Sequence, residues 1–269
     1  MVSERSLFDA HCHLSSEKFS LEQRSELVRK AQEAGVEKMV VTATDMAALE
    51  GAFSLQEEFG KEVIKVSAAF PPHDVDSEKD EFLYEIKKAL RAHKLDALGE
   101  TGLEYFYCPE TKQFQKQIFE QYIETAIEFQ MPLVIHCREA FHDLIPMLSE
   151  YQLSGKVLGG MIHCFTGTME EARALLDLGW FLSFSGMVTY PKAKSLQEVA
   201  QFVPLEKMLI ETDSPYLAPK QKRGQENRPE YLVYTAEFLA LLRGENFETI
   251  AKATYKNGSL LFETKKLPY

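Results

Sequence analysis

Short runs of apolar and β-branched residues recur eight times along the chain, at 7–13, 38–44, 63–70, 96–103, 132–137, 156–165, 180–188 and 207–213. Amphipathic stretches lie between them, and those at 21–34, 76–93, 111–130 and 168–178 read as helices. In the third, Phe114, Ile118, Tyr122, Ala126 and Phe129 are spaced to form one apolar stripe. Two more helical stretches follow the eighth run, near 229–243 and 246–262. Strands that alternate with helices pair in parallel through right-handed crossovers, so eight such units predict a closed (β/α)8 TIM barrel. A doubly wound open sheet is the alternative. The barrel is preferred because polar residues gather late in nearly every run, and barrels build their sites at the C-terminal ends of strands.

Composition changes this picture little. A chain of 269 residues with 45% hydrophobic and 26% charged positions can bury a large core, and 1–269 is expected to form a single barrel domain. No apolar run approaches the roughly 18 residues of a membrane span, and the start of the chain lacks a basic region followed by an apolar signal segment. A cytoplasmic protein without membrane contact is the expectation. Cys12, Cys108, Cys137 and Cys164 show no C-x-x-C spacing and read as packing residues, with Cys137 and Cys164 pointing outward beneath the helices. The formal charge of −11 argues against nonspecific binding to nucleic acid.

The chemistry lies at the ends of the runs. In FDAHCHL, strand alternation gives Asp9, His11 and His13 one common face. Glu100 ends the fourth run, His136 the fifth, His163 the sixth and Asp213 the eighth. Imidazoles mixed with carboxylates suit Zn²⁺ or Mn²⁺, whereas an all-oxygen site would favour Mg²⁺. Four histidines and two acids over-supply one ion, so two divalent ions are expected, with a carboxylate such as Glu100 bridging them at roughly 3.5–4 Å. Such ions lower the pKa of a bound water from about 15.7 to about 7.

These residues fall within motifs that resemble the TatD-related metal-dependent hydrolases, a branch of the amidohydrolase superfamily that includes deoxyribonucleases. The motifs are D-x-H-C-H-L from Asp9, GETGLEY, PLVIHCREA, IHCFTG, ETDSPYLAP and KRGQENRP. The resemblance implies that His11, His13 and Asp213 hold one ion, His136 and His163 the other, and that Glu100 bridges. It also implies catalytic roles for Glu100 and for Asp213, the latter as proton acceptor for the attacking water. Three positions depart from the family pattern. Pro71 stands where its first histidine after strand 3 would be, leaving His73; Glu104 replaces an aspartate; and Arg228 interrupts Asn-Glu-Pro. All three are expected at the rim, where they bear on substrate preference.

If the substrate is a phosphodiester, Arg138, which shares the inward face of His136, is expected to contact phosphate. His73 and Arg223 are the other expected substrate contacts. Glu211 and Asp9 are expected to hold a ligand or a basic side chain in place. Lys220, Lys222, Arg223 and Arg228 form a small basic patch, sufficient for modest binding of single-stranded DNA ends and insufficient for a stable grip on duplex DNA. The resemblance therefore implies a deoxyribonuclease of the 3′–5′ exonuclease type. The alternatives are a hydrolase of another small ester, amide or lactone on the same scaffold, and a metal-binding interaction protein without turnover.

Overall fold

The computed structural model describes residues 5–74, 79–156 and 158–263. Two stretches of the sequence reading, 76–78 at the head of the second helix and Val157 in the sixth run, lie outside these residues. Eight parallel strands alternate with helices: β1 (Leu7–Cys12), α1 (Leu21–Glu33), β2 (Val36–Ala43), α2 (Met46–Phe59), β3 (Ile64–Ala68), α3 (Lys79–Arg91), β4 (Leu98–Glu104) and α4 (Lys112–Phe129). The second half continues with β5 (Leu133–Arg138), α5 (Phe141–Leu153), β6 (Gly160–Ile162), α6 (Met169–Asp177), β7 (Phe181–Phe184), α7 (Lys194–Phe202), β8 (Met208–Ile210), α8 (Leu232–Arg243) and α9 (Phe247–Glu263).

The strands form two sheets, β1-β2-β3 and β4-β5-β6-β7-β8, whose edges meet at both seams. At one seam Ser67 pairs with Ala97, and the Ser67 hydroxyl donates to the Gly99 carbonyl at 2.7 Å. At the other, the Asp213 amide donates to the His11 carbonyl at 2.9 Å and the His13 amide to the Ser214 carbonyl at 2.7 Å. The eight-unit pattern read from the sequence is therefore the architecture observed, a (β/α)8 barrel.

Two apolar layers hold it. The outer layer joins strands to helices; in α4 it takes Ile118, Phe119, Tyr122, Ile123 and Ala126, with Phe114 and Phe129 partly buried at its ends. The inner layer takes Phe8, Val40, Ala97, Val134, Met161, Phe181 and Leu209 from the strands, together with Tyr255, Leu261 and Phe262 of α9. Phe8 stacks on Phe262 at 5.8 Å and meets Tyr255 edge-on at 6.1 Å, so α9 covers the N-terminal end of the barrel. Gly258 permits this approach, since a Cβ there would stand 2.7 Å from the Phe8 ring. No helix among the described residues is long and apolar enough to cross a membrane.

Helix starts follow local rules. Ser20 and Gln23 close a capping box on α1, and Thr168 and Glu171 close one on α6. The latter fixes the loop between His163 and α6.

Two strands depart from simple alternation. Along β1, Asp9 pairs with Met39 but Cys12 with Val41, which leaves one extra residue in β1. Along β4, Gly99 pairs with Val134 and Thr101 with Ile135, again one residue extra. Such bulges re-aim the side chains that follow them. Here they turn His11 and Glu100 into the barrel mouth. The expectation that Asp9 shares a face with His11 and His13 fails for this reason: Phe8 and Ala10 belong to the inner layer, so Asp9 alternates away from it.

Candidate metal centre

His11, His13, Glu100, His136, His163 and Asp213 come together at the C-terminal rim of the strands. The Nε2 atoms of His11 and His13 lie 3.0 Å apart. Asp213 Oδ1 is 3.6 Å from His11 Nε2 and 3.4 Å from His13 Nε2, and Glu100 Oε2 is at the same two distances. On its other side Glu100 Oε1 is 2.9 Å from His136 Nδ1 and 3.1 Å from His163 Nε2. Donors held about 2.05 Å from a tetrahedral cation would be about 3.4 Å from each other, and this nitrogen and oxygen set fits that spacing. His11, His13 and Asp213 offer ligand atoms within 4.8 Å of one another, and so do His11, Glu100 and His163.

Neighbouring groups hold these side chains. The Thr42 hydroxyl lies 3.2 Å from His11 Nδ1. Glu211 Oε1 accepts from the Cys164 amide at 2.7 Å and faces His163 Nδ1 at 3.3 Å. Asp9 is held by main-chain amides and a hydroxyl. Its Oδ1 accepts from the amides of Thr212 at 2.8 Å and His11 at 3.3 Å, and the Thr212 hydroxyl donates to its Oδ2 at 2.5 Å, so Asp9 ties β1 to the segment that carries Asp213. Burial of its carboxyl pushes its pKa up to about 8.

Glu104 has a contact that the sequence reading missed. It ends β4 at the rim and lines the cavity, yet it is buried. Its Oε2 lies 3.0 Å from His136 Nε2, while Oε1 accepts from the amides of Phe106 at 2.8 Å and Tyr107 at 3.0 Å. The signal was available: beyond the bulge, Glu100, Gly102 and Glu104 follow strand alternation on one face. With Nε2 of His136 directed to a carboxylate, Nδ1 is left free to ligate. Glu104→Gln puts an amide donor opposite that nitrogen and favours the tautomer that protonates Nδ1. It is expected to lower metal affinity about 10–100-fold in competition with a chelator, with the fold intact. Unchanged affinity would remove Glu104 from this role.

The cluster is electrostatically uneven. Burial, together with the neighbouring His163, pushes His11 down to about 4. Burial acts the same way on His13, but the carboxylates of Asp213 and Glu100 outweigh it and raise His13 to about 10. His136 and His163 also resist deprotonation, burial being outweighed by Glu100. Glu100 is desolvated too, yet the surrounding imidazoles hold it well below the usual carboxylate range. The metal-free centre therefore stores protons on imidazoles that a cation must displace. Metal binding is expected to release protons and to weaken as pH falls. Titration calorimetry in buffers of different ionisation enthalpy checks this, and a buffer-independent heat would refute it.

The cluster opens into a cavity of about 1010 Å³. Arg138 and His73 line it. Arg138 lies over the rings of Phe106 at 4.1 Å and Tyr107 at 4.7 Å. Arg223 is not part of this lining among the described residues; its guanidinium stacks over Tyr190 at 5.2 Å. Cys137 is buried in the outer layer, although it also borders the cavity. Cys164 departs from expectation more clearly. β6 ends at Ile162, so alternation stops there, and with φ +43° Cys164 reaches the cavity beside Ser185 and Met187.

Comparisons agree with this geometry. The family model described as TatD related DNase matches residues 8–263. The chain is 36% identical over 256 residues to a Bacillus subtilis protein named uncharacterized metal-dependent hydrolase YabD, covering 95% of this chain and 98% of that one. It is 32% identical over 261 residues to a Citrobacter koseri protein named 3′-5′ ssDNA/RNA exonuclease TatD, covering 95% and 98%. The crystal structure of the TatD homolog YJJV from Escherichia coli superposes with a TM-score of 0.88 at 27% identity, covering 97% of this chain and 100% of that one. With the match running from β1 to the end of α9 and the imidazole–carboxylate cluster at the barrel mouth, the chain belongs to the TatD-related DNase family of metal-dependent hydrolases.

Proposed function

We propose that this chain is a 3′–5′ exonuclease that uses two divalent ions to hydrolyse phosphodiester bonds at single-stranded DNA ends. The observation that carries the reading is the division of Glu100, whose Oε2 faces His11 and His13 while its Oε1 faces His136 and His163. A carboxylate placed in this way suits two adjoining cation subsites, one formed with His11, His13 and Asp213, the other with His136 and His163. Zn²⁺, Mn²⁺ or Mg²⁺ bound there would polarise a phosphoryl oxygen and lower the pKa of water. Asp213, at the cavity wall beside His11 and His13, takes the proton of the attacking water. Arg138 and His73, on the same wall, contact the phosphate and its neighbours. The oxygen–phosphorus bond forms as the bond from phosphorus to the leaving oxygen breaks. The Citrobacter koseri relative's name supports DNA or RNA as the polymer.

The test is incubation of the purified chain with each metal and end-labelled single-stranded DNA, duplex DNA and a panel of esters and lactones. Stepwise shortening from the 3′ end of single strands is expected, with little action on duplex. Turnover confined to an ester or lactone would overturn the reading. EDTA is expected to abolish hydrolysis and leave the circular dichroism spectrum unchanged, because the inner layer of Phe8, Val134, Met161 and Leu209 packs without the ligands. Collapse of the spectrum on chelation would show that the fold depends on the ions.

A further inference from the structure

Two exposed aromatic rings stand at the mouth of the cavity, each fixed to a different side of the ligand cluster. Tyr107 is 67% exposed and Tyr216 43% exposed, and both line the cavity. The Tyr216 ring meets that of His13 edge-on at 5.8 Å, and its amide donates to the Asp213 carbonyl at 2.8 Å. Tyr107 donates its amide to Glu104 Oε1 at 3.0 Å, and the other oxygen of that carboxylate faces His136. One ring therefore belongs to the His11–His13–Asp213 side and the other to the His136–His163 side. Each also has a cation beside it. Lys18 Nζ lies 4.1 Å from the Tyr216 ring centre, and the Arg138 guanidinium 4.7 Å from that of Tyr107. An exposed cation–π contact is weak and does not account for large rings left open to water at the one face that carries the chemistry.

We propose that Tyr107 and Tyr216 are stacking platforms for the two bases that flank the scissile phosphate of an unpaired strand, with Arg138 and Lys18 meeting the adjoining phosphates. The chemistry that follows binding rests on the exonuclease reading; the binding itself does not. Every base has a π face, so stacking tolerates any sequence, and a base inside a duplex has that face covered. The pair therefore selects single strands without reading sequence. This also meets the difficulty posed by a chain of net charge −11, because two rings and two local cations replace a broad basic surface.

The experiment measures fluorescence anisotropy of a labelled oligothymidylate on the Asp213→Asn chain, which keeps the strand intact. Tyr107→Ala and Tyr216→Ala are each expected to weaken binding about tenfold, whereas Tyr107→Phe and Tyr216→Phe retain it. An oligonucleotide with abasic sites at its two 3′-terminal positions is expected to lose the same affinity on the unaltered rings and no more on the alanine variants. If an alanine variant does not fold, the abasic strand on the parent chain still decides. Equal binding of normal and abasic strands, undiminished binding by folded alanine variants, or no binding by the parent would each overturn the platforms. On the otherwise unaltered enzyme, the alanine variants are expected to raise KM for the strand more than they lower kcat. DNA that is shortened with KM unmoved sinks the platforms alone; DNA that binds with the abasic and phenylalanine pattern but is never shortened upholds them and sinks the exonuclease reading.

Discussion

Asp213→Asn is expected to lower kcat for single-stranded DNA by about 10²–10⁴-fold while leaving the melting temperature nearly unchanged. Asp213 stands at φ +56°, a left-handed conformation that asparagine tolerates better than most residues, so the backbone of the segment survives the change. Its amide bond to the His11 carbonyl, at 2.9 Å, and its carbonyl bond from the Tyr216 amide, at 2.8 Å, belong to the main chain and are retained. What is lost is the carboxylate oxygen beside His11 and His13, to which the proposed mechanism gives the roles of cation ligand and proton acceptor. Single-turnover kinetics at saturating Mn²⁺ and a thermal melt check the two halves of the expectation. DNA shortening at the parent rate would assign the activity to a contaminating enzyme.

Gly102→Ala is expected to destabilise the protein by about 3 kcal/mol, equivalent to roughly 10 °C in Tm, and to weaken metal binding as well. Gly102 has φ +139°, a conformation that L side chains rarely adopt. A Cβ there would stand 2.1 Å from the His136 carbonyl oxygen, and main-chain atoms cannot swing aside as a flexible side-chain end does. The two residues are partners in the β4–β5 ladder, so relief of the clash must push β5 outward and carry the His136 ring with it. A melt within 2 °C of the parent, with about equal metal affinity, would show that the ladder yields more readily than this packing allows.

The fold was legible because its signal is repeated and redundant. Strands covered on both faces read as continuous apolar runs, and even the three-residue β6 and β8 lie within such runs. The cluster was legible because His136, His163 and Asp213 sit where the strands run out. What sequence alternation could not supply was the pair of one-residue bulges, since an inserted residue leaves the hydrophobic pattern intact and reverses the faces beyond it. Asp9 was misplaced for that reason, and the contact of Glu104 with His136 was overlooked although Glu104 shares the face of Glu100. Cys164 was misread because it lies beyond the end of β6, where turn geometry decides direction.

The aromatic seal that α9 makes beneath Phe8 has a consequence for how a polymer is handled. The barrel is a blind well, closed at that end by Phe8, Tyr255 and Phe262, so on the exonuclease reading a strand presents its terminus from above and is not threaded. On that reading, each released nucleotide leaves by the opening through which the next one enters. Repeated cutting of one strand would then depend on a hold outside the well, and without such a hold the proposed exonuclease lets go after each cut.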